Sequence, residues 1–506
     1  MGTLMRTVKP QYLGLCLVHM WIYCTTHRFT FNDDVSVMAV MYAALSLFLI
    51  LLFALVRWVS RKGAADGVGS SANGAETFPS RRLGIALDAT AAVFMAVCAV
   101  LLTAPPAFAV ASATASGATV AVASTLGGIG VAWAYMRWGQ FYAKLDIHVA
   151  APLIFVTMAV GSIGKAAIDL LPPIPAAIVL AADSCCALLC MRRSLANPPA
   201  TPEPVVFYTS RTVTSLLRIA AGIAVYSLTT GVIQSMLLET STVPAGAVLV
   251  HHGSEVVLGI AMALWVAKLR RGLDFSRTWR LILVLMGTAL IFEQHFDADA
   301  MMYLLSLIRT AQTFLIVFLF LALADVARHS PYHPMAVFTL GWASYSLPFM
   351  VGKVVGDGLV SFGPDIAFVS SSIVWVLLVV MLFVLDDASA GNRLIFVELR
   401  DEGDEDTLAE RMGAVQRELD AHQSPAAPEH ADPLTLRCAK LSEANRLTPR
   451  EQEILEMLVR GRSKTHIAEA FLISENTVRG HVKHIYAKLG VHGKQELVDL
   501  VEAVQL

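Results

Sequence analysis

The chain has 506 residues, of which 56% are hydrophobic and only 15% are charged, and its mean hydropathy is +0.61. Because soluble proteins carry about a quarter charged residues, this composition excludes an ordinary soluble protein and predicts that most of the chain lies in lipid. The formal net charge is −2. Any affinity for nucleic acid must therefore come from a local basic patch and not from the charge of the whole chain.

Apolar runs that are long enough to span a membrane dominate the first three quarters of the chain. A helix of roughly 20 apolar residues crosses the hydrocarbon core. We expect about twelve such spans, centred on residues 11–27, 36–56, 83–103, 114–134, 147–169, 173–191, 212–236, 243–267, 280–296, 300–323, 335–354 and 366–386. The first run is short, follows Arg6 and Lys9 and resembles a signal peptide, but no small-x-small cleavage site follows it. We therefore expect a retained first span.

Basic residues cluster in every second loop, which predicts the orientation of the spans. Lys and Arg favour the cytoplasmic side of a membrane. The basic loops hold Arg57, Arg61, Lys62, Arg81 and Arg82; Arg137 and Lys144; Arg192, Arg193 and Arg211; Lys268, Arg270, Arg271, Arg277 and Arg280; and Arg328. The loops between them are nearly free of Lys and Arg, with Arg28 as the exception. We therefore expect a multi-pass protein of the inner membrane with both termini in the cytoplasm.

A proline-rich loop divides the predicted spans into six plus six. It contains Pro198, Pro199, Pro202 and Pro204. This layout resembles the major facilitator superfamily, and the resemblance implies two six-helix halves around a central site. The loop between the second and third spans lacks the basic GxxxDRxGRR-like motif of that family. We therefore expect the fold of a transporter, but the missing motif argues against transport.

Ionisable residues within the predicted spans are candidates for function because they are costly in hydrocarbon. His251, His252 and Glu255 lie in the eighth span, where His251 and Glu255 share a helix face, and Arg309 lies in the tenth. These four residues are the candidates for sensing a small-molecule ligand. The alternative is that they pair with one another and only hold the bundle together. No metal site is expected, because nothing in the sequence fixes a third ligand next to HHxxE.

The composition changes after Asp386. Residues 387–440 contain an acidic run and a Pro/Ala-rich stretch, which predict a solvated cytoplasmic linker. We therefore divide the chain into a polytopic membrane sensor domain (residues 1–386), this linker, and a C-terminal domain (residues 441–506).

The C-terminal domain has the pattern of four short helices. Thr448 and Glu451 predict a capping box, and Gly461 predicts the end of that first helix. In the third helix, an apolar face recurs at steps of four, three and four residues and is expected to pack inward; it consists of Val478, Val482, Ile485 and Leu489. The opposite face carries Arg479, Gly480 and Lys483, a combination of donors and small bulk that suits the major groove of DNA.

These residues closely resemble the LuxR-type helix-turn-helix, through LTPREQEIL, IAEAFLISENTVRGHVKHIYAKLGV and ELVDL. The resemblance implies that the third helix enters the major groove and that the fourth contributes to dimerisation. By position it implies base contacts from Arg479, Gly480 and Lys483, with Asn476 on the same face. It implies phosphate contacts or caps from Lys464, Thr465, Ser474, Thr477 and Lys488. Gly493 departs from the pattern, because a Ser or Asn commonly caps the fourth helix.

The predicted fold is therefore all-α: a polytopic membrane bundle with a C-terminal LuxR-type helix-turn-helix domain. The predicted function is a membrane-bound one-component transcription regulator, in which the bundle senses a small molecule or a membrane signal. The expected partners are double-stranded DNA with two-fold half-sites, membrane lipid, an unknown small-molecule ligand and a second copy of the chain. The alternative is a transporter with an attached DNA-binding domain. We expect no enzyme and no cofactor, because no nucleophile elbow, phosphate loop or kinase motif occurs.

Overall fold

The computed structural model divides the chain into two compact units, Met1–Gln416 and Arg417–Leu506. It describes residues 9–27, 36–65, 79–103, 113–199, 201, 210–238, 244–269, 275–292, 298–363, 366–384, 395–396, 433–445, 447–471, 475–491 and 493–504. Every regular element in these ranges is helical, which confirms the predicted all-α class. Most of the predicted linker, residues 387–440, lies outside them.

Twelve α-helices form the described part of the first unit, preceded by a 3-10 turn at Pro10–Leu13. They are α1 (Leu15–His27), α2 (Val37–Ala65), α3 (Arg81–Thr103), α4 (Ala113–Tyr142), α5 (Ile147–Asp169), α6 (Pro173–Ala196), α7 (Ser210–Ile233, continued by a π-helical segment Gln234–Leu238), α8 (Ala245–Leu269), α9 (Phe275–Phe292), α10 (Ala298–His329), α11 (Pro334–Phe362) and α12 (Ile366–Val384). Each predicted span coincides with one of these helices.

Nine of the helices in the described ranges are long and apolar enough to cross a membrane. The exceptions are α1, α9 and α12, so a count of twelve spans stays a prediction. Helix α1 has 13 residues and belongs to the core, since Leu15, Val18 and Trp21 are fully buried. The outward surface is apolar as well: Leu249 and Val257 on α8 are 70% and 68% exposed. A surface of that kind is stable against lipid tails and not against water.

Glycines allow the backbones of some helices to approach closely. A Cβ on Gly352 of α11 would overlap the carbonyl oxygen of Leu228 on α7, and one on Gly231 would overlap the carbonyl oxygen of Phe349. Between α5 and α8, a Cβ on Gly259 would lie 2.8 Å from the carbonyl oxygen of Phe155. Helices in lipid gain no hydrophobic free energy from association, so close backbone contact at small residues is a main source of their packing energy.

The described residues of the second unit form five short helices around a separate apolar core. They are α13 (Pro433–Ala444), α14 (Pro449–Val459), α15 (Lys464–Phe471), α16 (Glu475–Leu489) and α17 (Lys494–Glu502). The last four match the predicted helices, and Gly461 and Gly490 have φ angles of 84° and 68° where α14 and α16 end. Helix α13 packs on the same core through the buried Cys438 and Leu441. The packed domain therefore begins near residue 433, earlier than residue 441.

Gly352→Val should destabilise the bundle, because the new side chain would force α7 and α11 apart. Overpacking typically costs about 1–3 kcal/mol, so we expect a lower melting temperature for the purified full-length protein in detergent. Gly358→Val is the matched control, because it lies on the same helix and its Cβ position has no described atom within 4 Å. Equal losses in the two variants would contradict the close approach of α7 and α11.

Candidate DNA-binding face and buried polar cluster

Helix α16 is held in the C-terminal domain by its apolar side. Val478, Val482 and Ile485 are buried in the domain core, and Leu489 packs against it. The predicted inward face is thus confirmed. Because the side chains of a helix diverge around its axis, fixing this face fixes the direction of the opposite one.

The opposite face of α16 is open and basic. Thr477, Arg479 and Lys483 are exposed, and a Cβ on the half-buried Gly480 would meet no described atom within 4 Å. Packing within the domain therefore does not require the glycine, although glycine inside a helix costs about 1 kcal/mol. Arg479 and Lys483 give this face its positive charge. Elsewhere on the helix, burial, followed by the nearby Arg450 guanidinium, lowers the pKa of His481.

The other predicted contacts differ in their surroundings. Lys464 is exposed at the start of α15. The side chains of Thr465 and Asn476, and the whole of Ser474, lie outside the described residues. The Nζ atom of Lys488 lies 2.6 Å from Oε2 of Glu451, so its ammonium joins α16 to the start of α14. This contact gives Lys488 a structural role within the domain.

The capping box of α14 forms as predicted, and its Glu451 also contacts Lys488. The backbone N–H of Thr448 donates to Oε2 of Glu451 at 2.8 Å, and the backbone N–H of Glu451 donates to Oγ1 of Thr448 at 3.3 Å. Burial opposes ionisation of the Glu451 carboxyl, but the hydrogen bonds from Lys488 and Thr448 outweigh it and lower the pKa of Glu451. One carboxylate thus joins the cap of α14 to α16.

A cavity of about 110 Å³ lies inside the membrane bundle. Its wall combines aromatic and apolar side chains with polar groups from α1, α5, α8 and α10. Its polar lining includes His19, Tyr23, Lys165, His251, Arg309 and Gln312. Helices from both predicted halves therefore line one cavity, and two of the predicted sensing residues, His251 and Arg309, are in its wall.

A cluster of charged and polar side chains lies against this wall, with Glu255 at its centre. The Glu255 side chain is fully buried, and the Nζ atom of Lys165 lies 3.1 Å from its Oε2 and 3.3 Å from its Oε1. The hydroxyl of Ser162 donates to Oε2 at 2.6 Å. A buried carboxylate is tolerated only when such partners replace its water.

Both histidines of the HHxxE sequence point at the same carboxylate. Nε2 of His251 lies 3.6 Å from Oε1 of Glu255, and Nδ1 of His252 lies 3.6 Å from Oε2. The remaining ring nitrogens are held by other helices. Nδ1 of His251 is 3.1 Å from Oγ1 of Thr310, and Nε2 of His252 is 3.2 Å from Oδ2 of Asp169.

The sequence interpretation missed Lys165 and Asp169 of α5, although both belong to this cluster. A usable signal was present: KAAID places a cation and an anion four residues apart inside the fifth predicted span. The rule that singled out His251 and Arg309, that ionisable groups in lipid are costly, applies to these two residues as well. Their partners on α8 lie 83 and 90 residues away, beyond the reach of helical spacing.

Two further ion pairs in the bundle have surroundings that indicate a structural role. Nε of Arg137 lies 2.9 Å from Oδ1 of Asp88, which also accepts from Nε1 of Trp133 at 2.8 Å. The Nζ atom of the buried Lys353 lies 3.2 Å from Oδ1 of Asp357 on the same helix. None of these four charged side chains lines the cavity described above.

The C-terminal domain matches known bacterial regulators. The model of the family described as "Bacterial regulatory proteins, luxR family" matches residues 445–501. The spore germination protein GerE of Bacillus subtilis (strain 168) is 43% identical over 61 residues, which are 12% of this chain and 82% of that protein. The Fimbriae Z protein of Escherichia coli (strain K12) is 43% identical over 60 residues, 12% of this chain and 29% of that protein.

Among solved structures, the chain is similar to the major facilitator superfamily proton:xylose symporter XylE bound to 6-bromo-6-deoxy-D-glucose. The TM-score is 0.47 at 12% sequence identity, and the alignment covers 77% of this chain and 98% of that one. These comparisons give no positive evidence of an enzyme.

Arg479→Ala and Lys483→Ala should each weaken binding of the C-terminal domain to its promoter site, mapped first by chromatin immunoprecipitation. Loss of a base contact costs about 1–3 kcal/mol, and we expect an affinity loss of roughly 10- to 100-fold in a fluorescence anisotropy titration at fixed salt. Lys440→Ala removes an exposed lysine from α13 and should leave binding unchanged. Normal binding by Arg479→Ala would mean that α16 does not enter the groove.

Glu451→Gln should make the stability of the domain less dependent on acid. Glu451 has a folded-state pKa below its ordinary value of 4.5. Its charge therefore stabilises the fold fully at neutral pH, and this contribution falls as pH drops through 4.5 and is lost below the lowered pKa. Gln keeps the capping box and removes the pairing with Lys488. We expect lower stability at pH 7 and a flatter urea-unfolding profile between neutral and acidic pH.

Glu453→Gln is the control for that experiment, because Glu453 is also ion-paired on α14 but its side chain is 47% exposed. Surface pairs contribute little, so this variant should keep the acid dependence of the unmodified domain. If stability depended on pH in the same way in both variants, Glu451 would not be the source of the acid dependence.

Proposed function

The chain belongs to the luxR family of bacterial regulatory proteins, and we propose from this premise that it is a membrane-bound one-component transcription regulator. Its C-terminal domain binds a specific promoter sequence, and its bundle senses a small molecule or a membrane condition. One observation carries the proposal: a single chain contains both the exposed basic face of α16 and a bundle cavity lined by charged side chains.

The DNA side of the proposal assigns base contacts to Arg479 and Lys483, with Gly480 leaving room for the groove, and backbone contacts to Thr477 and Lys464. A single small module neutralises few phosphates, and affinity for DNA depends steeply on that number. We therefore expect two copies on a site with two-fold symmetry, with α17 contributing to the contact between them.

The sensing side assigns the ligand site to the cavity beside the polar cluster. Charged side chains inside a membrane bundle are costly unless they are paired. Lys165 and Arg309 lie in the cavity wall despite this cost, which favours a ligand site there. A ligand changes the output only if it binds two states of the bundle with different affinities. A polar molecule that competes for the partners of Lys165 or His251 meets this condition, because it replaces contacts that hold α5, α8 and α10 together.

The proposed location is the inner membrane, with both termini in the cytoplasm and lipid as the surrounding partner. The nine long apolar helices and the lipid-suited surface support a multi-pass protein. The alternation of basic loops supports the orientation. The C-terminal domain requires the same side, because its DNA partner lies in the cytoplasm.

The second candidate function is a transporter with an attached regulatory domain. The observation in its favour is the cavity, because a cavity between two helical halves suits an alternating-access site as well as a sensing site. The missing basic motif in the loop between the second and third predicted spans disfavours it. Uptake into proteoliposomes separates the two: flux of the inducing compound would contradict a pure sensor.

Arg309→Leu should reduce the response of a promoter reporter to the inducing compound, found by screening metabolites against the mapped promoter. Arg309 lies in the cavity wall, so its loss removes a charge that the ligand meets. DNA binding by the separately produced C-terminal domain should not change, because Arg309 is not part of it.

Arg192→Leu is the control variant, because Arg192 is an exposed cation on α6 outside this cavity. It should respond as the unmodified chain does. An unchanged response in Arg309→Leu, with normal protein levels in the membrane, would return Arg309 to a purely structural role.

A further inference from the structure

Three potential metal ligands converge within the polar cluster of the bundle. One ligand atom each from His251, His252 and Glu255 lies within 4.8 Å of the others, and all three residues are buried. Each histidine nitrogen that faces Glu255 is 3.6 Å from the nearer carboxylate oxygen. In a tetrahedral zinc site with bonds of about 2.0–2.1 Å, neighbouring ligand atoms are roughly 3.3 Å apart. Small side-chain rotations therefore bring these atoms to metal-binding distances.

The ring nitrogens that face away from Glu255 are also held, and these contacts orient the two imidazole rings. A metal-binding histidine usually donates its second ring N–H to a carboxylate, a carbonyl, water or another acceptor, which fixes the ring. Here Asp169 holds Nε2 of His252 at 3.2 Å, and the Thr310 hydroxyl holds Nδ1 of His251 at 3.1 Å. Nδ1 of His252, only 2% of whose surface is exposed, has no hydrogen-bond partner among the described residues.

We propose that His251, His252 and Glu255 bind a divalent metal ion of the zinc class. Two imidazoles and one carboxylate suit Zn²⁺ and, among spectroscopic substitutes, Co²⁺, whereas Mg²⁺ and Ca²⁺ prefer oxygen ligands only. The structure goes beyond the sequence here, because it shows that ligand atoms of all three residues of HHxxE converge. Asp169 and Thr310 are positioning residues in this site. The fourth coordination position is open to water or a ligand from the cavity, whose wall includes His251.

Lys165 would compete with the metal ion for the Glu255 carboxylate. Its ammonium contacts both oxygens of Glu255, at 3.1 Å and 3.3 Å, and so provides the positive charge that a metal ion would provide. Binding of the ion requires Lys165 to leave the carboxylate. The ammonium has another favourable position, because it already lies in the cavity wall and 4.8 Å from the centroid of the Tyr23 ring.

The test is metal binding by the purified full-length chain in detergent, carrying an affinity tag without histidine and stripped with a chelator. Isothermal titration with Zn²⁺ should give one ion per chain, and Co²⁺ should give the visible absorption of a tetrahedral site. Loss of a residue that only orients a metal ligand typically lowers the affinity for the metal by about 10- to 100-fold. His251→Ala and His252→Ala each remove a ligand and should lower the affinity further than that.

Two further variants distinguish this site from other arrangements. Asp169→Asn should lower the affinity by about 10- to 100-fold, and it serves as the ligand-sparing variant if an alanine variant does not yield monodisperse protein. Lys165→Met should raise the affinity, because it removes the competing ammonium. A merely structural role for Lys165 predicts no gain.

His148→Gln is the control, because His148 is an exposed histidine of the bundle and should not affect binding. The proposal is overturned if no saturable binding occurs, or if binding is the same in His251→Ala, His252→Ala and Asp169→Asn as in the unmodified chain. The measurement uses no DNA, so its outcome is independent of whether the protein regulates transcription.

Discussion

The polar cluster of the membrane unit is built around one buried ion pair, Lys165 with Glu255. Two charges in a low-dielectric interior are stable only together, since removing one leaves the other without compensation. The pair joins α5 to α8, the same two helices whose backbones approach at Gly259. Close packing and charge pairing therefore act on one interface. A group that competes for Glu255 would weaken the connection between these helices, which is how the proposed sensor would pass between two states.

The same interface explains why the polar cluster and the cavity belong together. A buried ion pair surrounded only by apolar side chains would have no way to exchange partners. Lys165 and His251 instead belong to the cavity wall, where an incoming polar molecule or ion meets them first. In the proposed sensor, a ligand shifts the bundle only by the difference between its affinities for the two states.

Local patterns predicted the helices well, and contacts between distant helices set the limit. The capping box of Thr448 and Glu451 and the inward face of α16 follow from spacings of three and four residues, which a sequence displays directly. The partnership of Glu255 with Lys165 spans 90 residues and that of Lys488 with Glu451 spans 37, so periodicity does not reveal either. The packing of α13 on the C-terminal core through Cys438 and Leu441 is likewise a contact between separate helices, which spacing along the chain does not show.

The pairing of Lys488 bears on how the protein holds DNA. A lysine whose ammonium lies 2.6 Å from Glu451 contributes less to phosphate neutralisation than a free one, because binding a phosphate means giving up a charge-assisted hydrogen bond. Arg479 and Lys483 are exposed cations on the proposed DNA-facing side of α16. The net charge of −2 for the whole chain gives no overall attraction to DNA. In the proposed arrangement, two domains side by side would double the number of phosphate contacts, and confinement of both copies to one membrane would raise their effective concentration. Under that proposal, attachment to the bilayer compensates for the small number of cations on each α16.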